Sequence, residues 1–210
     1  GVLRVIAIAA LVLVWTDRSR VLSYRLLGAV PLLGVAAQAI IGGVIVLLHL
    51  HPGWVSLHFV VSAALVSVSL LLLHRSREGD GPPVPTVAPR SRALAWALYG
   101  LTAVVVVLGV IVTGAGPHSG DEEVGYRFAV DPALMSKVHA CAVWVFGAVL
   151  VAYLVSVRRG PLEVRRAGWI LLAITLAQGA IGYVQYCTGL PVLLVGRRRL
   201  GSALRGAGAP

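Results

Sequence analysis

Apolar runs separated by short polar or basic stretches dominate the chain. Uncharged segments extend from Leu26 to Leu50, Trp54 to Leu73, Ala93 to Gly116, Val138 to Val157 and Ala167 to Gly196. Each reaches the roughly 20 residues that cross a bilayer core as an α-helix. A shorter run, Val5 to Thr16, cannot cross alone and reads as a sixth span cut at its front end. The pattern therefore predicts an all-α, polytopic transmembrane helical bundle with about six spans. No initiator Met precedes Gly1, and the first run lacks the charged start and small-residue cleavage site of a signal peptide, so the chain is expected to be a fragment.

The polar stretches between runs set an orientation. Arg18, Arg20 and Arg25 fall in one connection, Arg75, Arg77, Arg90 and Arg92 in the next but one, and Arg158, Arg159, Arg165 and Arg166 in the next but one again. Basic loops of this kind stay on the cytoplasmic side. The intervening turn at His51 to Gly53 has no Lys or Arg, and the connection from Ala115 to Ser136 carries Asp121, Glu122, Glu123 and Asp131 against Arg127, so these face outward. The net charge of +10 thus reports topology, and its scatter over alternate loops argues against a nucleic-acid surface. With 58% hydrophobic and 12% charged residues, the composition excludes an ordinary soluble domain.

The stretch "REGDGPPVPTVAPRSR" combines Pro, Gly and charge, and is expected to be a flexible cytoplasmic linker. It divides the chain into residues 1–76, a linker at 77–92, and residues 93–210. The halves repeat: "AQAIIGG" at Ala37 to Gly43 returns as "AQGAIGY" at Ala177 to Tyr183, each followed by a turn containing Pro52 or Pro191 and then by "SAAL" at Ser62 or "SAL" at Ser202. Gln38 lies twenty positions before His58, and Gln178 twenty before Arg198. Parallel repeats of this sort build two related helical bundles about an axis along the membrane normal.

Gly34, Gln38 and Gly42 are spaced to share one helix face, as are Gln178, Gly182 and Gln185. Small residues there let a helix or a flat ligand approach closely, and the amides need partners in hydrocarbon. The histidines are not equivalent. His74 beside Arg75 reads as interfacial, and His49 and His51 flank a turn where water satisfies them. His58 and His139 each lie a few residues inside the outward end of a span, with no carboxylate at helical spacing. Imidazoles inside a membrane are functional candidates. Two at matching depth beside small-residue faces favour haem iron held between helices. Zinc would need three or four clustered ligands, a proton relay would bring acids into the spans, and neither pattern is present in the sequence. Cys141 and Cys187 form no CxxC motif and read as two small apolar residues, with a disulfide between these outward helix ends as the alternative. The outward turn "VTGAGPHSGDEE" offers His118, Ser119 and backbone amides to a ligand's carboxylates.

Together "AQAIIGG", "HFVVS", "VTGAGPHSGD", "KVHA" and "QGAIGYVQYCTGLPVLLVG" resemble the haem A synthase family, in its actinobacterial branch, from Gly1 to Gly196. That resemblance implies eight spans in two four-helix halves, of which spans 2 to 4 and 5 to 7 are present here, followed by an aberrant tail. It implies an oxidoreductase of the bacterial plasma membrane that converts the ring methyl of haem O to the formyl group of haem A for cytochrome oxidase. One half carries haem b as cofactor and the other holds the substrate haem O. Matched to the motifs, His139 falls on a ligand of haem b and His58 on the ligand of the substrate haem, with His118, Gln38 and Gln178 as further haem-binding candidates. The family's catalytic glutamate would lie before Gly1, so no catalytic residue is assigned in this chain. Its last histidine ligand aligns with Arg198, which stays protonated and cannot donate to iron. Haem O synthase, an electron acceptor such as a quinone, and a second copy of the chain are candidate partners besides lipid. A dihaem b-type electron-transfer subunit is the alternative function, and a repeat-built solute transporter a third.

Overall fold

A computed structural model describes residues 1–82, 84–116 and 124–187. Among the described residues every regular element is a helix, in the order α1 (Val2–Thr16), α2 (Leu22–Leu27), α3 (Val30–Leu47), α4 (Pro52–Arg77), α5 (Pro89–Ala115), α6 (Pro132–Ser156) and α7 (Leu162–Cys187). Among the described residues five spans are long and apolar enough to cross a membrane: α2 and α3 taken together, then α4, α5, α6 and α7, with α1 shorter. The protein is an all-α, multi-pass membrane bundle.

Proline marks how these helices begin. Pro52, Pro89 and Pro132 open α4, α5 and α6, where a missing N–H costs nothing and φ is already helical. Asp131 caps α6 by accepting from the Ala133 N–H at 2.9 Å, and His51 caps α4 by accepting from the Gly53 N–H through Nδ1 at 3.2 Å. Pro31 sits in the first turn of α3, and with no N–H to offer it separates α2 from α3. The α5 start at Pro89 lies inside the stretch expected to be linker, for the same reason.

The sequence pattern carries the apolar run that begins at Leu26 to Leu50, whereas α3 stops at Leu47. His49 and Leu50 adopt φ of +49° and +57°, and their amides return to the carbonyls of Val46 and Ile45. This is the paired-bond helix stop usually made with glycine, here built from a histidine and a leucine. Such left-handed residues carry strain of order 1–2 kcal/mol each.

The chain forms two compact units. The first comprises Gly1–Pro85 with Trp96–Phe146, and the second Thr86–Ala95 with the described residues from Gly147 on. Within the first, α3 packs against both α4 and α1. The Leu65 side chain occupies the space beside Gly34 where a Cβ would otherwise stand, and Val14 does the same at Gly28. Val14, Tyr24 and Leu72 form a buried cluster at the Arg-rich end, with Leu27 against it. Within the second, Leu150 and Val157 are fully or almost fully buried, and Gly168 of α7 lies against Leu154 of α6. Most other apolar side chains are exposed, as hydrocarbon permits on lipid-facing sides; close approach at small residues supplies the packing.

The beginning of the linker is tied down. Arg20 Nε pairs with Asp80 Oδ2 at 3.0 Å, the Val21 N–H donates to the same oxygen at 2.9 Å, and the Arg20 Nη2 donates to the Arg75 carbonyl at 2.8 Å. The Arg20 guanidinium also lies 4.0 Å from the centre of the Tyr24 ring. The hydrogen bond from Arg20, followed by that from Val21, holds the Asp80 carboxyl below the usual carboxylate range. A carboxyl depressed in the folded state contributes stability above its ordinary pKa and loses it as pH falls through the depressed value. Asp80→Asn is therefore expected to lower the unfolding midpoint in detergent at neutral pH, with the gap to wild type closing once both states are protonated. A gap indifferent to acid would assign the effect to something other than the carboxylate charge.

Candidate functional site

The site grows out of the α3 face that carries Gly34, Gln38 and Gly42. All three meet α4: Gly34 admits Leu65, Gln38 Nε2 donates to the His58 carbonyl at 2.9 Å and to Ser62 Oγ, and Gly42 faces the His58 ring. A Cβ on Gly42 would stand 3.8 Å from His58 Cε1, which is ordinary contact. Ser62 Oγ also donates to the His58 carbonyl at 2.8 Å, so two side chains converge on the backbone of the residue that bears the imidazole. The ring itself is left without such bonds: His58 Nδ1 is buried and has no hydrogen-bond partner among the described residues.

His139 on α6 repeats this arrangement against α5. Its ring rests on Gly109, where a Cβ would lie 3.3 Å from Cε1, and its Nδ1 is likewise buried without a partner among the described residues. Each histidine thus occupies a glycine-made seat on the span that precedes its own. Both rings are half-buried, with the rest of each ring accessible. Neutral imidazole offers one nitrogen lone pair, and a haem iron requires one or two such axial donors. Each half-buried ring, with no partner for its Nδ1 among the described residues, has the chemistry of an axial donor to iron. Among the described residues no three His, Cys, Asp or Glu side chains come together as a multidentate metal site.

The other candidates are placed differently. Gln38 spends its amide N–H groups on α4, next to His58. Gln178 on α7 is exposed, and among the described residues nothing fills the space beside Gly179 or Gly182. His118 and Arg198 lie outside the described residues. His74 pairs with Glu78 at 2.9 Å at an exposed helix end, in keeping with an interfacial side chain. Cys141 and Cys187 are free and exposed.

The sequence pattern missed three participants. Gly109 belongs to a valine-rich run with no amide to draw attention to its face, and Ser62 enters the sequence pattern only as the start of the repeated "SAAL". The third is Tyr126, whose ring lies 5.2 Å from that of His51. With Leu47, Leu48, His49 and Trp54 these rings line a cavity of about 310 Å³ at the strained turn. His49 and His51, expected to be water-satisfied turn residues, line this cavity. No family model, curated protein or solved structure matches the chain.

Proposed function

We propose that the chain is a haem-holding membrane oxidoreductase of the haem A synthase type, acting on haem O in a bacterial plasma membrane. The observation that carries this reading is the matched pair of seats: His58 on Gly42 and His139 on Gly109, each ring with a buried, unpaired Nδ1. His139 would hold the haem b cofactor and His58 the substrate haem. Bound haem b supplies a one-electron redox centre. The chain's own part is positioning. The imidazole would hold the haem iron, and the hydrogen bonds from Gln38 and Ser62 to the His58 carbonyl keep that turn of α4 from shifting.

The same seats also suit a dihaem electron-transfer subunit, which would bind haem without altering it. The deciding experiment is to purify the chain in detergent, titrate it with haem O and with haem b, record the Soret band and reduced spectrum, and extract the bound pigment for mass analysis. Uptake of haem O at the His58 seat in preference to haem b, with haem b taken up at the His139 seat, supports the synthase reading. Uptake of haem b at both seats with no preference for haem O moves the assignment to electron transfer, and no uptake removes both.

A further inference from the structure

Two buried polar atoms between α3 and α4 have no hydrogen-bond partner among the described residues: Gln38 Oε1 and His58 Nδ1. The nitrogen end of the Gln38 amide is identified by its bond to the His58 carbonyl, because a carbonyl only accepts. The oxygen end is therefore an unused acceptor at the turn that bears the imidazole. A neutral imidazole can supply the missing donor from whichever nitrogen carries its proton. An unpaired donor or acceptor is unfavourable where neither water nor a spare backbone group is at hand.

We infer that Gln38 is the positioning residue for His58: rotation of the ring brings Nδ1–H to Gln38 Oε1, which selects one tautomer and leaves the Nε2 lone pair available to iron. Such outer partners set which imidazole nitrogen binds a metal and how the ring is turned. The inference deepens the haem reading and rests on it for its purpose, while the tautomer itself is a property of the chain alone. His139 provides the contrast. Its Nδ1 is also buried and unpaired, but Val105 stands four residues before Gly109, where the first hairpin has Gln38 four before Gly42. A valine side chain accepts nothing.

The test is nitrogen NMR of the detergent-solubilised chain labelled with ¹⁵N-histidine, at alkaline pH where imidazoles are neutral. The His58 signal is assigned by its loss in His58→Ala. The expected result is His58 held mainly as the Nδ1–H tautomer. Gln38→Leu should shift it several-fold toward Nε2–H with the His139 signal unmoved, and Gln38→Glu, which keeps an acceptor oxygen but loses the amide donors, should retain Nδ1–H. An Nε2–H tautomer in the wild type, a Gln38→Leu signal identical to wild type, or loss of Nδ1–H in Gln38→Glu would each overturn the assignment. If Gln38→Leu does not fold, as a collapsed His139 signal would reveal, the wild-type and Gln38→Glu spectra decide alone. Haem uptake is read separately: a wild type with the Nδ1–H tautomer that takes up no haem defeats the haem reading and leaves the Gln38 pairing standing.

Discussion

Replacing His58 and His139 together with alanine is expected to abolish specific haem uptake by the purified chain, leaving no Soret band above that of free pigment in the same detergent. Each ring presents a buried Nδ1 with no partner among the described residues and lies against a glycine, so alanine removes a donor without breaking any side-chain hydrogen bond among the described residues. The helices should persist, and circular dichroism should be unchanged. Losing an outer-shell partner of a metal ligand typically weakens binding by about 10–100-fold, and loss of the ligand itself should exceed that. The single substitutions should separate the two seats: His139→Ala should remove the site assigned to haem b and His58→Ala the one assigned to the substrate haem, each leaving the other. Titration with haemin, followed optically and by pyridine haemochrome, measures this. Undiminished uptake by the double variant would show that haem, if bound, is held elsewhere.

The second large effect is mechanical. A Cβ on Gly34 would overlap the side chain of Leu65, with even the branch-point carbon, Cγ, 2.9 Å away. Leu65 cannot yield by moving only its methyl tips, so Gly34→Ala should destabilise the α3–α4 pair by about 1–3 kcal/mol, the usual range for overpacking. Because Gln38 and Gly42 follow on the same face, the displacement should also disturb the His58 turn and weaken haem uptake there, while leaving the His139 seat intact. Leu65→Ala supplies the control. Alone it leaves a void, but combined with Gly34→Ala it restores room, so the double variant should be more stable than the sum of the single effects by roughly 0.5–3 kcal/mol. Denaturant or thermal unfolding in detergent reads the cycle, and strict additivity would mean that Gly34 and Leu65 do not share the contact.

The sequence alone carried the membrane architecture, because burial in hydrocarbon is a bulk demand visible in uncharged runs of sufficient length. It also carried the packing face of α3: the spacing of Gly34, Gln38 and Gly42 places them on one side, and in the folded chain all three meet α4. His58 and His139 stood out for a similar reason, as ionisable rings within spans that hold no carboxylate partner.

What only the tertiary structure decided are the contacts between helices. No local pattern distinguishes Gly109 from other glycines in apolar runs; it matters because the ring of His139, thirty positions later, rests on it. Likewise the helix stop at His49 and Leu50 replaces glycine with residues that propensity would keep out of left-handed backbone, and the linker that composition described as flexible is pinned at Asp80 by an arginine sixty residues earlier. Hydrophobic patterning reports how each helix meets lipid, which is the same for every apolar side. Which glycine faces which ring depends on how helices pack against one another, and that is set by side chains remote in sequence.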